Sequence, residues 1–240
     1  MLKPLLDVHT HSVASGHAYS TIQEMAQRAS EIGLEILGIT EHATNLPGAP
    51  LDIYFKNLHV VPRQMYGVRL LMGCELNILD TDGTLDYGED ILKLLDLRIA
   101  GIHSLCWSGG TKDENTQGML NVIRNPWVQI ISHPGDGTAD LHFEPIVLAA
   151  KETHTLLELN NSSLNPRRGK ASAHANNVEI LRLCKQYDVP IILGSDAHIS
   201  FLIADYTYAN PLLQETDFPE ELILNDKPEE FLKTLPQPLP

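Results

Sequence analysis

Apolar runs of strand length alternate with amphipathic stretches of helix length along almost the whole chain. The runs fall at 5–8, 36–39, 70–74, 98–101, 128–131, 156–159 and 190–193. Such alternation builds βα units with parallel strands, because each helix carries the chain back to the edge from which the previous strand started. Seven units in 240 residues predict an α/β fold of one distorted seven-stranded (β/α)7 barrel, TIM-barrel-like, over residues 1–235. The closing PQPLP at 236–240 reads as a tail. The first helix is the best marked. Ser20 and Gln23 read as its capping box, Ile22, Met25, Ala26, Ala29 and Ile32 share one apolar face, and Gly33 ends it. Further helices are expected at 88–95, 114–124, 144–152 and 174–187, with a short one near Asp226 and Pro228. Pro47, Gly48, Pro50 and Pro62 make 43–69 a long, broken excursion.

Charge and cysteine usage exclude several classes of protein. A formal net charge of −14, from 31 acidic and 17 basic residues, argues against a surface built to neutralise a nucleic-acid backbone. Cys74, Cys106 and Cys184 are an odd, scattered set without a CxxC pair, which suggests reduced thiols rather than a disulfide framework. No apolar run approaches the roughly 18 residues of a membrane span, and the first residues carry no signal pattern. A cytoplasmic protein with no membrane partner is the expectation.

The informative residues stand where the strands end. The first strand runs into His9 and His11, the second into Glu41 and His42, the third into Glu75, the fourth into His103 and the fifth into His133; the sixth meets Asn160 and Asn161, the seventh Asp196 and His198. Residues at i and i+2 of a strand point the same way, so His9 and His11 can converge on one object. In a parallel barrel all these ends open onto one face, where the active site is built. Imidazoles and carboxylates crowded there need a compensating cation. With His17 they make nine candidate ligands, His9, His11, His17, His42, Glu75, His103, His133, Asp196 and His198. Nine donors suit two or three ions, and imidazole favours zinc, manganese or iron over magnesium or calcium.

Taken together, DVHTHSVASGHAYSTI at 7–22, TEH at 40–42, GCELN at 73–77, GIHS at 101–104, ISHPGDG at 131–137, ELNNSS at 158–163 and GSDAHIS at 194–200 resemble the polymerase and histidinol phosphatase (PHP) superfamily, and within it the YcdX-type phosphatases. The resemblance implies a phosphoesterase with three divalent cations, zinc foremost. It implies one cation on His9, His11, Glu75 and Asp196, a second sharing Glu75 with His103 and His133, and a third on His17, His42 and His198. His9, His11, Glu75, His103, His133 and Asp196 would carry catalysis through a metal-activated water attacking the monoester of a small phosphorylated substrate. Asn160, Arg167 and Arg168 are the expected substrate contacts, Lys170 lies in the same basic loop, and Asp7 either orients a ligand or is a plain strand residue. Cys74 is expected in the core, and His59, His142, His154 and His174 outside the site. Metal-dependent amidohydrolases also begin with HxH after a first strand, but no lysine stands at a strand end here to serve as a carbamylated bridge. A non-catalytic cation or anion binder is the other alternative.

Overall fold

The structure, a computed structural model, describes residues 3–236, so the expected tail lies from residue 237 onward outside the described residues. Its strands are β1 (Leu6–Asp7), β2 (Ile36–His42), β3 (Gln64–Met65), β4 (Val68–Asn77), β5 (Leu97–Gly101), β6 (Ile130–Ile131), β7 (Leu156–Asn160) and β8 (Ile191–Gly194). Seven of them form one parallel sheet in the order β1-β2-β4-β5-β6-β7-β8. All seven expected runs lie in this sheet. The eighth strand, β3, is a correction: it pairs antiparallel with the start of β4 inside the supposedly broken 43–69 segment. Tyr66 and Gly67 make the turn with φ of 51° and 82°, both in the left-handed region that a tight hairpin uses.

The sheet nearly closes into a barrel, and its seam is stitched at both ends. Near the site, His11 N donates to Ala197 O at 2.9 Å and Asp196 N to His9 O at 3.0 Å. At the opposite end the buried Asn225 stands in for a missing strand residue. Its side chain accepts from Leu193 N at 2.7 Å and donates to Leu6 O and Leu193 O, while its carbonyl receives Leu5 N and Leu6 N. Buried backbone groups at an open seam would otherwise go unpaired.

Helices cover the outside: α1 (Ile22–Glu31), α2 (Asp52–Lys56), α3 (Glu89–Leu92), α4 (Lys112–Ile123), α5 (Phe143–Thr153), α6 (Ala173–Tyr187), α7 (Ala209–Glu215) and α8 (Pro228–Lys233). Helix α1 starts one residue later than its sequence suggested. Thr21, not Ser20, is the cap and Glu24 completes the box, whereas Ser20 Oγ accepts from Ser200 N at 3.1 Å. Helix α4, by contrast, begins earlier than expected, on a Thr111–Glu114 capping box.

Within the barrel the side chains are layered. Leu71, Leu97, Ile99, Ile130, Leu156 and Ile192 fill the interior with Phe231 of α8 plugging its base. Phe231 is fully buried, so Phe231→Ala should cost about 3–5 kcal/mol. Two residues further along several strands the same face carries glycine, and two further still a polar group: Leu71, Gly73, Glu75 on β4, and Ile192, Gly194, Asp196 from β8 onward. A methyl group at Gly194 would stand 1.7 Å from Glu158 Oε1. The glycine layer makes room for the large polar side chains above it.

Candidate metal centre

Glu75 sits 1% exposed at the centre of the polar layer and is ringed by imidazoles. Its Oε1 lies 2.9 Å from His133 Nε2, 3.2 Å from His103 Nε2 and 3.4 Å from His9 Nε2; its Oε2 lies 2.9 Å from His42 Nδ1 and 3.5 Å from His11 Nε2. Asp196 Oδ1 stands 3.4 Å from both His11 Nε2 and His198 Nδ1, and 3.7 Å from His9 Nε2. His17 and His198 meet at the rim, Nε2 to Nε2, at 3.0 Å. Every one of the nine candidate ligands is therefore brought together. Asp196 and His133 hold their places with φ of 54° and 35°, a left-handed conformation unusual for non-glycine residues and common at functional sites.

The donors fit cations. His9 Nε2, His11 Nε2, His42 Nδ1, Glu75 Oε2 and both ring nitrogens of His103 are buried without a hydrogen-bond partner. So many unpartnered polar atoms facing one another would be costly unless a cation received their lone pairs. Ligand atoms within 4.8 Å of one another form three sets: His9, His11, Asp196; His42, Glu75, His103; and His11, His42, His198. His42 thus reaches toward Glu75 as well as toward the rim.

Second partners fix the rings. Glu158, buried on β7, accepts from His9 Nδ1 at 2.6 Å and from His133 N at 2.7 Å. Sequence reading missed it, although a glutamate inside the apolar run LLELN of a strand buried on both faces is itself a signal. His17 and His198 each turn Nδ1 to a backbone carbonyl, of Ser15 and Asp196, both at 3.0 Å. Asp7 is a backbone anchor: it accepts from Ser195 N, Ser195 Oγ and Ala204 N, and so holds the segment that carries Asp196. Burial raises its carboxyl to about 6, against those hydrogen bonds.

The electrostatics split the imidazoles. Burial would lower His9 and His133, but carboxylates outweigh it. Glu158, Glu75 and Asp196 raise His9 well above its ordinary value, and the hydrogen bond and charge of Glu75 raise His133 to about 9. Burial, reinforced by neighbouring histidines, lowers His11 and His17. Burial also opposes the charge on Glu75 and Asp196. The surrounding rings, His9 first, prevail and hold both carboxyls well below the usual range.

A cavity of about 450 Å³ opens above these groups, lined by Glu75, His103 and Asp196 on its floor and by Arg168, Lys170 and Leu105 on its walls. Arg168 Nη2 is 3.8 Å from Asp196 Oδ2 and is steadied by Ser162 Oγ at 2.7 Å; Lys170 Nζ is 2.6 Å from Asp136 Oδ2. Two expected substrate contacts stand elsewhere. Arg167 does not line the cavity, and Asn160 is buried with its amide on Glu158 Oε2 and its carbonyl receiving Ser163 N and Oγ. Cys74 is in the core. His142 and His174 pair with Asp113 and Glu215 at the surface. No helix of the described residues is long and apolar enough to cross a membrane.

The sequence relates to known proteins over nearly its whole length. A probable phosphatase of Clostridium novyi is 48% identical over 98% of this chain and 95% of its own, and a probable phosphatase of Acetivibrio thermocellus is 44% identical over 96% and 94%. Among solved structures, the histidinol phosphate phosphatase of Lactococcus lactis, complexed with zinc, L-histidinol and phosphate, superposes with a TM-score of 0.63 at 20% identity, covering 91% of this chain and 95% of that one. The PHP domain family matches residues 7–233, a span that holds every donor described above, and the chain belongs to that family.

Proposed function

We propose that this PHP-family phosphatase hydrolyses the phosphate monoester of a small molecule on a centre of three divalent cations, zinc before manganese or iron. One observation carries the reading: buried, unpartnered imidazole and carboxylate atoms converge on Glu75 at the floor of a cavity whose opposite wall bears Arg168 and Lys170. His9, His11 and Asp196 would hold one cation, Glu75 with His103 and His133 a second, and His17 with His198 a third, His42 standing between the last two. When bound, such cations supply charge that clamps phosphoryl oxygens and Lewis acidity that makes water nucleophilic near neutral pH.

The chain's own residues do the rest. Glu75 and Asp196 stay ionised, so they anchor rather than donate protons. Arg168 reaches within 3.8 Å of a ligand oxygen, near enough for its planar fork to take two oxygens of a phosphoryl group lying on the floor. Lys170 is held at the mouth by Asp136 and Thr138, a fixed cation facing an entering anion. Leu105, exposed at the opening, offers an apolar surface to the departing group.

The test is elemental analysis of untagged protein followed by a phosphoester panel including p-nitrophenyl phosphate. Cation-dependent release of phosphate is the expected result. A cation-loaded protein that binds inorganic phosphate but turns over no ester in the panel would reduce it to an anion binder. Hydrolysis of cyclic amides instead of esters would make it an amidohydrolase.

A further inference from the structure

Beneath His11 lies a buried polar cluster that the proposed reaction does not use: Ser12, Ser15 and Glu41, at most 2% exposed. Glu41 only accepts there. Ser12 N (3.1 and 3.2 Å), Ser12 Oγ and Tyr54 OH (3.4 Å) donate to it, and so does Ser15 Oγ at 2.5 Å. A serine hydroxyl has one proton and two acceptor positions. With its proton given to Glu41, Ser15 Oγ can only accept from its other neighbours, His42 N at 3.1 Å and His11 Nδ1 at 3.2 Å. Both acceptor positions are then filled.

From this accounting we infer that Ser15, its hydroxyl polarity set by Glu41, is a positioning residue that fixes His11 as the Nδ1–H tautomer and so leaves the Nε2 lone pair aimed at Glu75 and Asp196. The inference rests on the cation-site reading above but not on the substrate. Ser15 serves two other donors as well: its carbonyl accepts from His17 Nδ1 at 3.0 Å, and its hydroxyl holds the backbone of His42. One small residue on the turn after β1 thereby orients parts of three candidate ligands. The arrangement also explains why a glutamate can stand beside His42 and take no place among the cation donors: it acts through an intervening hydroxyl, the counterpart of the direct carboxylate contact that Glu158 makes with His9.

The test reads tautomers by long-range ¹H–¹⁵N NMR in histidine-labelled, metal-free protein at a pH where His11 is neutral, its signal assigned by loss in His11→Gln. Wild-type His11 is expected to carry its proton on Nδ1. In Ser15→Ala that preference disappears while His17, which keeps the residue 15 carbonyl, retains its own. Zinc affinity by chelator competition should fall about 10–100-fold in the same variant. A wild-type His11 protonated on Nε2 overturns the inference without any variant needing to fold, and so does a Ser15→Ala protein with unchanged His11 tautomer and unchanged zinc affinity. Because the first measurement uses neither metal nor substrate, a protein that passes it and yet hydrolyses no phosphoester would refute the phosphatase reading alone.

Discussion

His9 gives its Nδ1 proton to the buried carboxylate of Glu158 at 2.6 Å, whereas His17 and His198 give theirs to backbone carbonyls at 3.0 Å. The floor of the site and its rim thus use the same side chain with different backing. A carboxylate behind an imidazole raises its basicity as well as fixing its ring, and a carbonyl does mainly the second. Burial follows the same division: His9 and His11 are at most 2% exposed, while His17 is exposed. At the rim, two Nε2 lone pairs face each other at 3.0 Å, close to the separation of about 3.3 Å that tetrahedral bonds of 2.0–2.1 Å would require. The rim donors suit a cation in the proposed centre, and their weaker backing should hold it less firmly than the floor would.

The largest test of this contrast is Glu75→Gln against His17→Ala. Glu75 would hold one cation and also touches His9 and His11 of the neighbouring set, so its replacement should strip the first cation, loosen the second and lower phosphoester turnover on the order of 10³-fold. His17→Ala should remove one cation and leave the others, which metal analysis reads directly. If His17→Ala emptied the whole centre, floor and rim would be one cooperative unit and the contrast would be false.

The pH dependence of loading separates the regions next. A ring must be neutral to ligate, so cation binding displaces any proton it carries. His133, raised to about 9 chiefly because Glu75 outweighs the effect of burial, is protonated at neutral pH in the metal-free protein. Its proton becomes easier to displace as pH rises, so floor affinity should climb, about tenfold per pH unit for each such ring, until about pH 9. His17 is shifted the other way, by burial and by His198 and His42, and is already neutral at pH 7. The part of loading that depends on it should be flat above pH 7. Chelator competition at pH 6.5, 8 and 9.5 measures both, and floor affinity that stops rising at pH 7 would contradict the split.

Glu158→Gln is expected to weaken floor loading about 10–100-fold and to leave the rim untouched. It also bears on what the sequence could reveal. Eight of the nine candidate ligands were legible because they stand at or just beyond the end of an apolar run, and a parallel barrel puts all such ends on one face; His17, well past its strand, was added only by its place in the histidine-rich segment that follows β1. Their supports were harder to read. Glu158 lies inside a run and Glu41 beside a histidine: the sequence flags both as charges in buried strands, but only tertiary pairing shows which rings they support. Candidate substrate contacts were hardest, because the 162–170 loop brings Arg168 to the cavity lining and leaves its neighbour Arg167 out of it, a difference that residue type does not encode. The same degeneracy hid β3, whose Tyr66–Gly67 turn lacks the usual Asn-Gly signature.

The smallest expected effect belongs to neither region. Ser20 and Thr21 are adjacent, and each has a Glu or Gln three residues on, so two capping boxes were possible for α1 and the folded chain uses the second. Ser20 is withdrawn from the competition because Ser200, in the turn just after His198, donates its backbone N–H to Ser20 Oγ. Thr21→Ala removes the cap actually used and should lower Tm by about 2–4 °C, with cation content and turnover unchanged. Ser20→Ala frees the Ser200 amide instead. Its effect should be felt at the rim, as easier loss of the cation held by His17 and His198, and only weakly in Tm. If the two variants behaved alike, the start of α1 and the rim would be mechanically joined, and the firmness of the rim site would be set by the helix rather than by the carbonyls behind its rings.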